Sequence, residues 1–124
     1  MTTHPTAAEL LEAVSGFIET RAAPQLTGRD AFLARVAVNA LAVVKRELEL
    51  GPAARDAAAE RLVGLLGDDG PYEALNDELC ARLASGELDL SSPGVLEHLK
   101  ASTIDQVRID QPNYSGLKAI EGSA

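Results

Sequence analysis

The sequence predicts an all-α protein, a single-domain bundle of about five helices around a long central second helix. Three observations predict it. Alanine and leucine fill 39 of 124 positions, and both lose little freedom on entering a helix. Aromatic residues number only four, Phe17, Phe32, Tyr72 and Tyr114, so the chain is poor in the residues that fill sheets. Apolar residues recur at three- and four-residue spacing between Gly and Pro punctuation.

The first helix starts at Thr6. Glu9 lies three residues on, the capping-box spacing, in which each side chain satisfies the other's backbone N–H. Leu10, Leu11, Val14, Phe17 and Ile18 form its apolar stripe, and Pro24 stops it. The second helix runs from about Gly28 to Leu50. Phe32, Leu33, Val36, Ala37, Ala40, Leu41, Val43, Val44 and Leu48 cover about half of its circumference at about 100° per residue. A helix this apolar is expected at the centre, packed on two sides. Gly51 is placed to end it and Pro52 to begin a third helix, which runs to Leu66. A Gly67–Asp68–Asp69–Gly70 turn follows. The fourth helix starts at Pro71, carries the stripe Tyr72, Leu75, Leu79 and Leu83, and closes at Gly86. The fifth is expected to use Ser92 as N-cap and Pro93 at its first position. Its stripe is Val95, Leu96, Leu99, Thr103 and Val107, and it ends before Pro112 because the residue preceding proline resists the α region.

A chain of 124 residues and 13.0 kDa has room for one domain. The domain is read as a helical bundle over residues 1–114, with a mobile Gly/Ser-containing tail over 115–124.

Eleven basic and nineteen acidic residues give a net charge of −8. The acidity is concentrated: residues 68–97 hold eight acids against Arg82 alone, while residues 1–67 come to −1 and residues 98–124 balance. Nucleic-acid binding needs a basic footprint that this chain lacks, and an anionic membrane surface is disfavoured for the same reason. The acidic stretch reads as a solvated face or as a docking surface for a basic partner. Cys80 is the single cysteine, so no internal disulfide forms and a reducing compartment fits. The start of the chain lacks the basic and apolar regions of a signal peptide, and no apolar run is long enough to span a bilayer. The expected location is cytoplasmic.

Several polar groups could carry chemistry. Glu47 projects into the middle of the apolar arc of the second helix. A buried carboxylate must be paired or protonated; Arg21, Arg108 and Lys100 are its candidate partners. The alternatives are a carboxylate poised in a cleft, or a solvated one near a frayed helix end. Arg29 lies on the same line of the helix, five turns away. Asn39 borders the arc one turn after Arg35, where its amide can tie a neighbouring helix. His98, Ser102 and Asp105 share one face of the last helix and match a hydrolase triad in type. Their spacing does not suit one, because His98 and Asp105 stand about 10.5 Å apart along the axis. They are therefore read as surface polar residues. His4, His98 and Cys80 have no metal-ligand spacing, and Gly64, Gly67 and Gly70 form no phosphate loop. Cys80 reads as a small core residue rather than a nucleophile. No catalytic residue, metal or cofactor is assigned.

Three strings carry a resemblance: PTAAELLEAV at 5–14, ARVAVNALAVVKREL at 34–48, and LEHL at 96–99 followed by DQVRIDQPNY at 105–114. They resemble a family of small bacterial all-helical proteins of unknown function, over about residues 5–114. The resemblance implies a helical fold and encoding beside aminoglycoside/choline-kinase-type phosphotransferases and acyl-CoA dehydrogenases. It supplies no catalytic residues. Arg35, Asn39, Arg46 and Glu47, together with Arg108, make up the candidate polar cluster.

The leading expectation is a non-catalytic accessory or interaction module that docks on a larger enzyme. A second is an acyl or other apolar ligand held in a cavity lined by Phe32, Leu33 and Val36, with Arg35 or Arg108 at the mouth. A third is an enzyme built around Glu47 or the His98/Asp105 face. A homodimer is compatible with each, since the alanine-rich second helix permits close helix approach.

Overall fold

The computed structural model describes residues 4–122. The outermost ends of the two expected ranges, residues 1–3 and 123–124, lie outside the described residues. The fold is all-α, with α1 at Ala7–Phe17, α2 at Gly28–Leu66, α3 at Tyr72–Ser85, α4 at Val95–Asp110 and α5 at Ser115–Gly122. Among the described residues no strand forms, and no helix is long and apolar enough to cross a membrane. The chain divides into two compact units, the first ending at Gly51 and the second beginning at Pro52.

In the first unit, α1 opens with the capping box that the sequence predicts. The Thr6 hydroxyl accepts from the Glu9 N–H at 3.1 Å, and the Glu9 carboxylate accepts from the Thr6 N–H at 2.9 Å. The same bonds hold the Glu9 carboxyl below its usual value. Past Phe17 the chain widens into a π-helical turn, Ile18–Ala22, then tightens into a 3-10 turn, Ala23–Gln25, around Pro24. The first part of α2 runs back along α1: Lys45 pairs with Glu12, and Ala34 and Val38 share a pocket with Glu19 and Ala23. These contacts make the pair an antiparallel hairpin.

The predicted break at Gly51–Pro52 does not occur, and α2 continues for 39 residues with Pro52 inside it. A proline there removes the N–H that would bond the Leu48 carbonyl. The clash that usually bars a helical residue before proline involves its Cβ, which Gly51 lacks.

In the second unit, Leu62 and Leu66 of α2 meet Leu75 and Leu79 of α3, with Ala59, Tyr72, Leu83 and Leu88 packed around them. All four stripe residues of α3 thus lie in or against this core as its periodicity requires: Leu75 and Leu79 within it, Tyr72 and Leu83 packed against it. Gly86 ends α3 in the left-handed region at φ 83°, where only glycine sits without strain. It lets the Leu88 N–H reach back to the Arg82 carbonyl at 3.1 Å.

The last two helices depart from the expectation. Ser92 does not cap α4: its Oγ accepts from the Asp89 N–H at 3.0 Å, while the Asp89 carboxylate accepts from the N–H groups of Ser91 at 2.9 Å and Ser92 at 3.1 Å. The helix starts later, from Gly94 at φ 86°, a glycine whose Cβ would stand 3.7 Å from Leu65 Cγ. Residues 115–122 are not a loose tail but α5, anchored by the buried Leu117 and by Arg108 Nε donating to Glu121 Oε1 at 3.2 Å.

Leu62→Ala should cost about 2–5 kcal/mol of stability, since it leaves a cavity in the tightest core. Leu90→Ala, at a side chain 61% exposed, should stay within about 0.5 kcal/mol. Urea unfolding of the two variants checks the contrast.

Candidate functional site

Two places bring polar or uncovered groups together, one in each unit. In the first unit the apolar arc of α2 is not buried on two sides as the sequence reading expects. Phe32, Leu33, Val36, Val44 and Leu48 are all exposed, as are Leu10, Val14 and Phe17 of α1. Ala34 is the buried apolar residue of this part of α2. The expected cavity lined by Phe32, Leu33 and Val36 is therefore a surface.

Helical projection places these side chains. In α1 the half-buried Ala8, Leu11, Ser15 and Ile18 face α2, and Leu10, Val14 and Phe17 stand about a quarter turn to one side. In α2, Ala34, Val38, Leu41 and Lys45 face α1, Leu33, Ala40 and Val44 stand to one side, and Val36, about 200° on from Ala34, points away from α1. Because the helices are antiparallel, the two offsets point to the same side. The hairpin thus has one apolar face, with the large side chains between 43 and 62% exposed. Its opposite face is polar: Glu12 and Glu49 project there, and Lys45, between the helices, pairs with Glu12 and, at 3.8 Å, with Glu49. Glu12 first, then Glu49, push the Lys45 amine above its usual value. Arg35 and Asn39 line a pocket of about 200 Å³ there with Glu19, Ala23, Ala34 and Val38. The Arg35 guanidinium also lies 6.0 Å from the Phe32 ring centroid, within cation–π reach.

Of the predicted polar cluster, Arg35 and Asn39 thus share one pocket. Arg46 and Glu47 are half-buried on α2, and each takes part in an interaction within the chain. Arg108 lies on α4, where it pairs with Asp105 at 3.6 Å and Glu121 at 3.2 Å.

In the second unit the sequence reading misplaces His98. It is buried, 3% exposed, not on a polar surface. Arg61 of α2 donates from Nε to His98 Nδ1 at 3.0 Å and from Nη2 to Ser102 Oγ at 3.2 Å. One guanidinium thus bridges two side chains a turn apart on α4. Val95, His98, Ser102 and Ile109 make the inward stripe, while Leu96 and Thr103 of the predicted stripe are exposed. The missed signal was the i, i+3, i+7 spacing of Val95, His98 and Ser102. Burial first, and the Arg61 charge second, hold the His98 imidazole below its ordinary value of 6.5. With Nδ1 accepting, the neutral ring carries its proton on Nε2. Ser102 meets the guanidinium, and Asp105 turns to Arg108, so the three residues do not form a triad. Chemically the arrangement is a clamp between α2 and α4.

The acidic stretch organises around its one cation. Arg82 pairs with Asp68 at 3.3 Å, Glu78 at 2.5 Å and Glu87 at 3.1 Å. A hydrogen bond with Asp68, then burial, push the Glu78 carboxyl up against the pull of Arg82. Glu73 and Asp77 point outward. Cys80 is exposed, not a core residue. Among the described residues no group of three or more His, Cys, Asp and Glu side chains could hold a metal ion.

A model of one protein family, Domain of unknown function (DUF6285), matches residues 24–114. The chain belongs to the DUF6285 family. No curated protein and no solved structure matches it. The DUF6285 match spans α2, α3 and α4, so the Arg61–His98–Ser102 clamp and the apolar arc of α2 both lie within it.

The clamp generates a pH prediction. A histidine whose pKa is lowered by folding leaves the unfolded chain binding more protons near pH 6. Stability from the neutral ring is complete above 6.5 and falls as pH drops through 6.5 toward the lower folded value. Urea midpoints should fall from pH 7.5 to pH 5.5, and His98→Gln should flatten that part of the slope. Arg61→Ala, which leaves His98 Nδ1 without its donor, should cost about 1–3 kcal/mol, read by the same unfolding measurement.

Proposed function

We propose that this chain is a non-catalytic accessory module that acts by binding protein, docking on a larger metabolic enzyme of the phosphotransferase or acyl-CoA dehydrogenase kind. One observation carries the reading. The first unit displays a contiguous apolar face that its own helices leave open, and patches of this size on a soluble domain mark contact surfaces. Polar groups that would otherwise suggest chemistry are engaged in holding helices together, as in the Arg61 and Arg82 clusters. The outward acids of α3 supply a complementary surface for a basic patch on the enzyme.

Affinity purification of the tagged full chain from its native host tests the reading. A larger enzyme should co-purify, its recovery should fall as salt screens the contact, and Glu73→Gln with Asp77→Asn should lower it further. Failure to recover a larger enzyme at any salt concentration would end the proposal.

A second reading has its own observation. An apolar cleft of about 440 Å³ lies between α4 and α5, lined by Leu99, Lys100, Thr103, Ile104 and Ile120. Its size suits a small apolar ligand, and Lys100 could meet a carboxylate head. A fatty acid should raise the melting temperature, and Ile104→Trp, which fills the cleft, should abolish the shift. An unchanged melting temperature in the wild type removes this reading.

A further inference from the structure

We propose that the apolar face of the α1/α2 hairpin is closed by the same face of a second copy of the chain, forming a twofold-symmetric four-helix dimer. The inference rests on the reading of that face as a contact surface; it assigns the apolar face to a second copy and leaves the outward acids of α3 as the surface that meets the larger enzyme. Two arguments single out a second copy, one from area and one from charge.

The area fits a dimer. Val14, Phe17, Leu33, Val36, Val44 and Leu48 are each roughly half exposed. With Leu10 and the smaller residues between them, they present on the order of 600 Å² of apolar surface, taking roughly 150–200 Å² for a whole large side chain. Two such faces bury on the order of 1,200 Å², the lower end of what stable complexes use. A hairpin supplies each helix with one neighbour. Stacking two hairpins gives each helix a second, which is the arrangement a half-apolar helix such as α2 requires.

The charges are arranged for self-pairing. Along the apolar line of α2, Arg29 stands at one end and Glu47 at the other, with Leu33, Val36 and Ala40 between. The two are 18 residues apart, five whole turns, so they lie on one line about 27 Å from end to end. A twofold axis crossing α2 level with residue 38 sets the helix antiparallel to its counterpart. Arg29 then meets Glu47 of the partner subunit, twice per dimer, and Val36 meets the partner's Ala40. A small residue facing a larger one allows close packing. The proposal rests on the register of these positions along the helix. Like-charged ends would have opposed the same pairing. The acidic residues 68–97 lie in the other unit, so the net charge of −8 is not concentrated on the contact face.

Analytical ultracentrifugation of the purified full chain over a concentration series tests the proposal. The expected mass is twice the 13.0 kDa of one chain. Val36→Asp should give monomers that keep their helical circular dichroism. Should that variant fail to fold, the surface exchange decides. Arg29→Glu should weaken the dimer roughly tenfold or more, and Arg29→Glu combined with Glu47→Arg should recover much of the loss. A single-chain mass at every concentration would overturn the proposal. So would a dimer indifferent to Arg29→Glu and to Val36→Asp, because its contact would lie elsewhere. A monomer that still captures a larger enzyme would refute self-pairing and leave the accessory reading intact. A dimer that captures none would do the reverse.

Discussion

A layer of two helices can bury only one stripe of each. That limit governs the first unit. The α2 helix carries apolar side chains over about half its circumference, whereas α1 covers the arc around Ala34, Val38 and Leu41. The uncovered remainder, from Leu33 to Leu48, has to face something other than this hairpin. Apolar surface left in water is unfavourable by about 25 cal/mol per Å². Covering that face would remove this cost, which is the basis of the proposed contact. Its polar back, where Glu12, Lys45 and Glu49 interact, faces solvent without that penalty, so the two faces of the hairpin have different fates.

The second unit obeys the same limit with a different outcome. There, residues from three helices converge, and Leu62, Leu79 and Val95 are almost fully buried. Its stability comes from leucines in contact, but its geometry is fixed by polar clamps. Arg61 ties α2 to two turns of α4, and Arg82 gathers the carboxylates that would otherwise repel one another across α3 and its flanking turns. Hydrophobic packing tolerates sliding by a fraction of a turn, whereas a guanidinium bonded to both His98 and Ser102 fixes one register. The same site disfavours a charged His98, first through burial and then through the neighbouring Arg61 charge.

Where the fold was legible in the sequence, the signal was local. Thr6 and Glu9 form their box because both partners lie within one turn, and Gly86 ends α3 because only the backbone at that residue matters. Tyr72, Leu75, Leu79 and Leu83 project onto one face whatever packs there. The misreadings all depended on something distant or on a competing bond. Ser92 lost its capping role to Asp89, three residues upstream. Gly51–Pro52 carries the local signature of a break, but a glycine before the proline lacks the Cβ that would clash, and the helix runs through. Leu117 and Ile120 were lost among the glycines and serine of the last ten residues, although their i, i+3 spacing is that of an apolar helical pair. Of the candidate site, Arg35 and Asn39 could be placed together by their own helix. The clamp could not, because Arg61 and His98 are 37 residues apart and nothing local pairs them.

The burial of α2 was overestimated for a reason that bears on function. Periodicity measures how much of a helix wants to be covered, not how much the same chain covers. A half-apolar circumference suggested a central helix, and the inference was sound about demand. Supply is limited by the neighbours within reach, and α1 with its π turn reaches one side. The excess of demand over supply, read from Leu33, Val36, Val44 and Leu48 together with Val14 and Phe17, is the feature from which the proposed association is argued. The oppositely charged ends of the same line, Arg29 and Glu47, constrain what can associate there. In the proposed pairing the partner presents a negative group and a positive group about 27 Å apart across an apolar strip, which is the pattern an antiparallel copy of this helix carries.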